Sequence, residues 1–158
     1  MDANEYNASV QEWADALFRF ACKSTGQASD AHDLVQNGFE VLWKKRKDVT
    51  YDKAKAFLFQ VVYRQAVDNY RKRAKVSYTE MPEQSYSPVN PDLKKILDRA
   101  LAQLDEQGRA LVLLKDYEGY SYSEIATITI LSETQVKVYL HRARKFLKEY
   151  LVSVENVI

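Results

Sequence analysis

Apolar positions in the first part of the chain recur at three- and four-residue steps, the spacing of one helical face. Val10, Trp13, Ala14, Leu17, Phe18 and Ala21 predict an amphipathic helix that ends near Gly26, a residue suited to the left-handed position after a helix. Ser29 or Asp30 is expected to cap a second helix running to about Lys45, with Val35, Phe39, Leu42 and Trp43 turned inward. Its outer side then carries Asp33, Gln36, Asn37, Glu40 and Lys44. A third helix is expected from near Asp52 to about Arg73, burying Ala56, Phe57, Phe59, Val62, Ala66, Val67 and Tyr70 to varying degrees.

The pattern lapses in AKVSYTEMPEQSYSPVNP, which holds all three prolines, at 82, 88 and 91. Helical spacing resumes with Leu93, Ile96, Leu97, Ala100, Leu101 and Leu104, a helix expected to stop before Gly108, and Leu111 to Tyr117 predict another ending at Gly119. Ser121 and Glu124 then have capping-box spacing, and Ser132 and Gln135 repeat it after Thr129, Ile130 and Leu131. Two helices joined by a tight turn follow from this, with Ala126 small enough to let them cross closely. In the last helix Val136, Leu140, Ala143 and Leu147 face inward, while Lys137, His141, Arg142, Arg144, Lys145 and Lys148 lie on a neighbouring flank.

These elements predict an all-α chain of two small helical domains, residues 1–75 and 92–158, joined by a flexible linker at 76–91. A chain of 158 residues with 46% hydrophobic content can bury a core without staples. One cysteine, Cys22, excludes an intramolecular disulfide, and two histidines, His32 and His141, offer no spacing for a closed zinc site. No metal and no cofactor is expected. MDANEYNASVQEW lacks the cationic start and apolar run of a signal peptide, and no stretch approaches a membrane span, so a cytoplasmic protein is expected. Net charge is only +1, but bases cluster at Lys44 to Lys47, at Arg71 to Lys75 and in 132–146, apart from the acids, which suits two kinds of partner.

A helix, a three-residue connection and a longer polar and basic helix form the helix-turn-helix pattern, whose second helix enters the DNA major groove. A plain helical hairpin with a solvated basic flank would carry the same apolar spacing. In the DNA reading, Ser132, Glu133, Thr134, Gln135 and Lys137 lie at the helix start, where glutamine pairs with adenine, and Arg142, Arg144 and Lys145 reach phosphates. Such turns usually have glycine where this chain has Ile130, and a left-handed conformation there costs about 1–2 kcal/mol.

EGYSYSEIATITILSETQVKVYLHRARKFLKEYL resembles region 4 of the bacterial extracytoplasmic-function (ECF) RNA polymerase sigma factors. Upstream, DAHDLVQNGFEVLWKKR and AFLFQVVYRQAVDNYRKRAK resemble that family's region 2, so the similarity runs in order from about Asp30 to Leu151. It implies a non-catalytic subunit that binds core RNA polymerase through its clamp and flap regions and confers promoter choice. Anti-sigma proteins often hold members of the family and are among the implied partners. By carry-over, Asp33, Leu34, Gln36 and Phe39 lie in the helix that docks on the polymerase, and the outward face, with Asn37 and Glu40, suits that docking. Tyr63, Arg64, Arg71, Lys72, Arg73 and Lys75 meet the opened minus-ten element, where aromatic and cationic contacts must offset unstacking. Ser132 to Gln135, Lys137, Tyr139, His141, Arg142, Arg144 and Lys145 face the minus-35 element. Tyr63-Arg64 replace the family's usual Arg-Asn and Val138-Tyr139 its usual Ser-Arg, which implies an altered base preference at both elements. A free-standing helix-turn-helix regulator would need a dimer seam, and no extended heptad run provides one. A polymerase-binding adaptor with degenerate promoter reading is the other alternative. No phosphate loop, nucleophile elbow or paired metal ligands suggest an enzyme.

Overall fold

Helix α1 (Ala3–Thr25) begins at an Asp2–Glu5 capping box and ends at Gly26, whose φ of 76° is the left-handed value expected of it. The computed structural model describes residues 1–76 and 93–155, with side chains for 1–72 and 93–154. The proline-bearing segment therefore lies outside the described residues. Helix α2 (Ala28–Lys44) starts earlier than expected, because Gln27 occupies the cap position and no side chain caps it. Its backbone N–H instead donates to Thr25 Oγ1 at 3.3 Å, which tightens the connection and leaves Ser29 and Asp30 inside the first turn. A short 3-10 turn (Tyr51–Lys53) leads into α3 (Ala54–Val76).

Helix α4 (Leu93–Gln103) ends before Leu104, and α5 (Glu106–Val112) is capped by Asp105, whose Oδ1 accepts from Gly108 N at 2.8 Å. Gly108 is thus inside a helix and does not stop one. A Cβ there would sit 2.7 Å from that capping oxygen and 3.4 Å from Ala143 Cβ, so glycine preserves both the cap and the close approach of the last helix. A π-helical turn (Leu113–Tyr117) follows, and Gly119 at φ 75° turns the chain into α6 (Tyr122–Thr129) and α7 (Glu133–Glu155).

Among the described residues there is no strand, and the expected all-α class is what forms. The two helical halves, however, do not sit apart. One apolar core runs from Leu17, Phe20 and Leu58 through Phe59 and Val62 to Leu111, Leu114, Ile125 and Leu140. Phe59 packs between Phe20 and Tyr120, with ring centroids 5.6 Å and 5.3 Å away. At the rim, both Arg19 nitrogens Nε and Nη2 bind the Glu118 carboxylate at 3.2 Å and 3.0 Å, and Lys23 pairs with Asp98 at 3.3 Å. Arg19 reaches in from solvent to a Glu118 carboxylate that is itself largely buried, whereas the Lys23–Asp98 pair is more open and adds little. The deeper link is Arg109, a buried guanidinium that donates to the carbonyls of Leu101 (2.9 Å), Leu104 (2.9 Å) and Ala102 (3.3 Å) at the end of α4, and to Ser24 O of α1 (2.8 Å). Burial lowers its pKa from the usual arginine value, and the nearby Tyr70, Glu106 and Asp105 oppose that shift.

Candidate nucleic-acid interface

The turn between α6 and α7 is built by short-range bonds. Ser121 Oγ accepts from Glu124 N at 3.1 Å while Ser121 N donates to Glu124 Oε1 at 3.2 Å. The second box closes the same way: Gln135 N donates to Ser132 Oγ at 3.0 Å and Ser132 N to Gln135 Oε1 at 2.9 Å. Between them Ile130 adopts φ 58°, ψ 42°, the left-handed conformation, with its side chain 60% exposed. A β-branched residue in that region is strained. Ile130→Gly is expected to stabilise the fold by about 1 kcal/mol, less than the full strain because glycine also loosens the unfolded chain. An unchanged midpoint in urea denaturation would show that the turn relaxes around isoleucine at no cost.

Helix α7 packs through Val136, Leu140 and Ala143 against α5 and α6, holding its far side out to solvent. Glu133, Thr134, Lys137, Val138, His141, Arg142 and Lys145 are exposed there. Other expected contact residues are already occupied. Gln135 spends its side-chain oxygen on the cap, and Tyr139 is half-buried against the core. Arg144 donates twice to Asp116, from Nε at 3.0 Å and from Nη2, and that pair raises the guanidinium pKa. Lys137 Nζ lies 5.2 Å from the Tyr122 ring centroid and Arg142 5.8 Å from that of Tyr139, so both start from loose positions over aromatic faces. A groove of about 370 Å³ runs beside Tyr139, Arg142 and Phe146, against the α4–α5 connection.

On α3, Arg64, Arg71 and Lys72 are exposed, whereas Tyr63 is half-buried, and the side chains of Arg73 and Lys75 lie outside the described residues. Tyr63, Ala66, Val67 and Tyr70 face Glu106, Arg109 and Ala110 across a narrow cleft. Burial, with the Glu106 and Asp105 carboxylates, pushes the Tyr63 hydroxyl pKa up. On α2 the expected docking set divides. Leu34 is 2% exposed and belongs to the core; Phe39 is half-buried, with its carbonyl accepting from Tyr6 OH at 3.0 Å. Asn37 donates to Gln65 Oε1 at 2.6 Å, which ties α2 to α3 and leaves Asp33, Gln36 and Glu40 as the exposed members. Burial of Leu34 and Phe39 follows from their place on the inward face of a helix flanked by α1 and α3.

One residue linking the halves gave no signal in the sequence. Lys55, at the start of α3, pairs with Glu124 of α6, and its ammonium stands 3.7 Å from the Tyr120 ring centroid and 5.1 Å from that of Trp13. The Lys55 hydrogen bond, helped by Ser121 and opposed by partial burial, holds the Glu124 carboxyl below its ordinary pKa. A carboxyl depressed in the folded state stabilises the fold above its unfolded pKa of about 4.3 and ceases to do so as pH falls through the folded value. Glu124→Gln is therefore expected to flatten the loss of stability below about pH 4.5, measured as the urea midpoint between pH 3 and pH 6. Equal slopes for the two proteins would show that the pair is not coupled to folding.

A helix-turn-helix with its outer face free, on an all-α scaffold whose other half ends in a basic helix, defines the class as a DNA-binding transcription factor. Residues 10–76 match Sigma-70 region 2, and residues 94–147 match Sigma-70, region 4. The chain belongs to the ECF sigma factors of RNA polymerase. It is 35% identical over 151 residues to the ECF RNA polymerase sigma factor SigL of Mycobacterium tuberculosis, covering 89% of this chain and 85% of that one. It is 29% identical over 157 residues to the RNA polymerase sigma-E factor of Streptomyces coelicolor, covering 94% and 87%. The fold is shared with the sigma factor RpoE solved with the anti-sigma factor NepR from Bartonella quintana, at TM-score 0.78, 23% identity and coverage of 94% and 98%. CnrH, solved with the cytosolic domain of CnrY, aligns at TM-score 0.72, 24% identity and coverage of 94% and 88%.

Proposed function

We propose that this chain binds core RNA polymerase and directs initiation at promoters whose minus-35 element is read by α7 and whose minus-ten element is met by α3. The observation that carries this is the outward face of α7, held clear of the core by Val136, Leu140 and Ala143 and lined with Thr134, Lys137, His141, Arg142 and Lys145. The exposed acids and amide of α2 (Asp33, Gln36 and Glu40) supply a polar docking face for polymerase, and Arg64, Arg71 and Lys72 supply a cationic track for the opened strand. The chain acts as a subunit and not as a catalyst, in the bacterial cytoplasm where its polymerase is. No described helix is long and apolar enough to cross a membrane.

The packing of the halves bears on the order of events. Helix α7 is accessible to a duplex with the halves together, whereas Tyr63 of α3 is half-buried across a narrow cleft from Glu106 and Arg109 of α5, with Tyr70 exposed at its edge. Reading of the minus-ten element through Tyr63 then needs that cleft to widen when polymerase is engaged. An anti-sigma protein that favours the packed arrangement would oppose it, in keeping with the likeness to RpoE, which was solved with the anti-sigma factor NepR. Affinity capture with core polymerase, followed by run-off transcription on genomic fragments, tests the reading. Co-elution with core and new start sites are expected; duplex binding without any affinity for core would instead identify a free-standing regulator.

A further inference from the structure

Val138 is an apolar residue in the middle of a polar face. Counting 100° per residue, it and Lys145 lie within about 10° of the direction opposite the Val136–Leu140–Ala143–Leu147 stripe. It is 43% exposed, and its outward neighbours Thr134, Lys137, His141, Arg142 and Lys145 are all polar or charged. The side chains that sequence spacing suggested for base reading are partly committed elsewhere: Gln135 to the helix cap, Tyr139 to the core, Arg144 to Asp116. What first meets a duplex approaching α7 is therefore a short set centred on Val138.

An isopropyl group gains nothing from the nitrogen and oxygen atoms that line base edges, and pressing it against them strips their water without replacing a hydrogen bond. The C5-methyl of thymine is the apolar group that the major groove offers. We propose that Val138 is a specificity-determining residue of the α7 face, reading one thymine in the minus-35 element through that methyl group. This rests on the reading of α7 as the major-groove helix. Its chemistry is separable from phosphate binding, because neither Val138 nor a thymine methyl carries charge.

The test uses the full chain bound to core polymerase. Promoters are selected from a pool randomised in the upstream element, and each thymine of the selected motif is replaced singly by deoxyuridine, which deletes only the methyl group. One position is expected to lose binding about 3- to 10-fold, the scale of burying one methyl group. With Val138→Ala that sensitivity should shrink towards none while other positions behave as before, and Val138→Ile should keep it. Val138 is exposed, so neither variant threatens the fold. A selected motif without thymine, a motif insensitive to uridine at every position, or a sensitivity that Val138→Ala leaves intact would each overturn the assignment while sparing the groove reading. Selection that returns no upstream motif would remove the groove reading and this assignment together.

Discussion

Arg109→Met is expected to lower the unfolding free energy by about 2–4 kcal/mol, because four carbonyls lose their donor in a place where water reaches them poorly. Leu101 and Ala102 lie in the last turn of α4, Leu104 follows it directly, and the fourth, Ser24, belongs to α1 on the other half of the molecule. Methionine fills similar space, so the loss reflects stranded acceptors more than a cavity. Arg109→Lys should recover little, since one ammonium cannot reach acceptors spread around a planar fork. Urea denaturation gives the energy, and small-angle scattering should show a larger radius for the variant if the Ser24 bond helps hold the halves together. Lys23→Ala, which breaks the more open pair with Asp98, is the matching control and should cost less than about 1 kcal/mol. A variant at Arg109 as stable and as compact as the parent would mean that the buried guanidinium is replaceable by water.

The second large effect concerns DNA. Reversing Arg142 and Lys145 to glutamate should weaken binding of the polymerase-bound chain to a selected promoter by about 10- to 1,000-fold near 0.1 M salt. The slope of log affinity against log salt should fall by about two, one for each phosphate that is no longer neutralised. Arg144→Glu is expected to behave differently, because Arg144 is held by Asp116 on the flank of α7 and its reversal sets two acids against each other. Its cost should appear in stability first and in the salt slope least. Anisotropy titrations across salt concentrations separate the two; a double reversal that leaves the slope untouched would place the DNA on another face.

Much of the local structure was legible in advance. Gly26 and Gly119 end their helices at positive φ, both serine boxes close, and Ile130 takes the left-handed conformation that its turn demands. The helix expected to stop before Gly108 does end, at Gln103, but the next one starts earlier than Leu111, because Asp105 caps it and places Gly108 in its first turn. Gln27 is the converse: Ser29 and Asp30 are better cap residues by chemistry, but α2 begins at Ala28 directly after the Gly26 turn and takes both into its first turn. The site was half legible. Outward positions of α7 follow from counting, but which of them are spent on caps, core or Asp116 does not; Val138 was legible as a departure from the family pattern, and the structure adds that it stands at the centre of the free face.

Helix positions, caps and turns depend on groups three or four residues apart, so the order of residues was enough to determine them. The joining of the two halves was decided only by the tertiary structure. Its bonds connect Ser24 to Arg109, Arg19 to Glu118 and Lys55 to Glu124, and Phe59 to Tyr120 across the core, separations far longer than any local pattern spans. A lone arginine beside an apolar run and a lysine at a helix start look like ordinary surface charges until the chain brings carbonyls, a carboxylate and an aromatic face to them. That is why the two modules could be expected from the sequence, while the continuity of their cores could not.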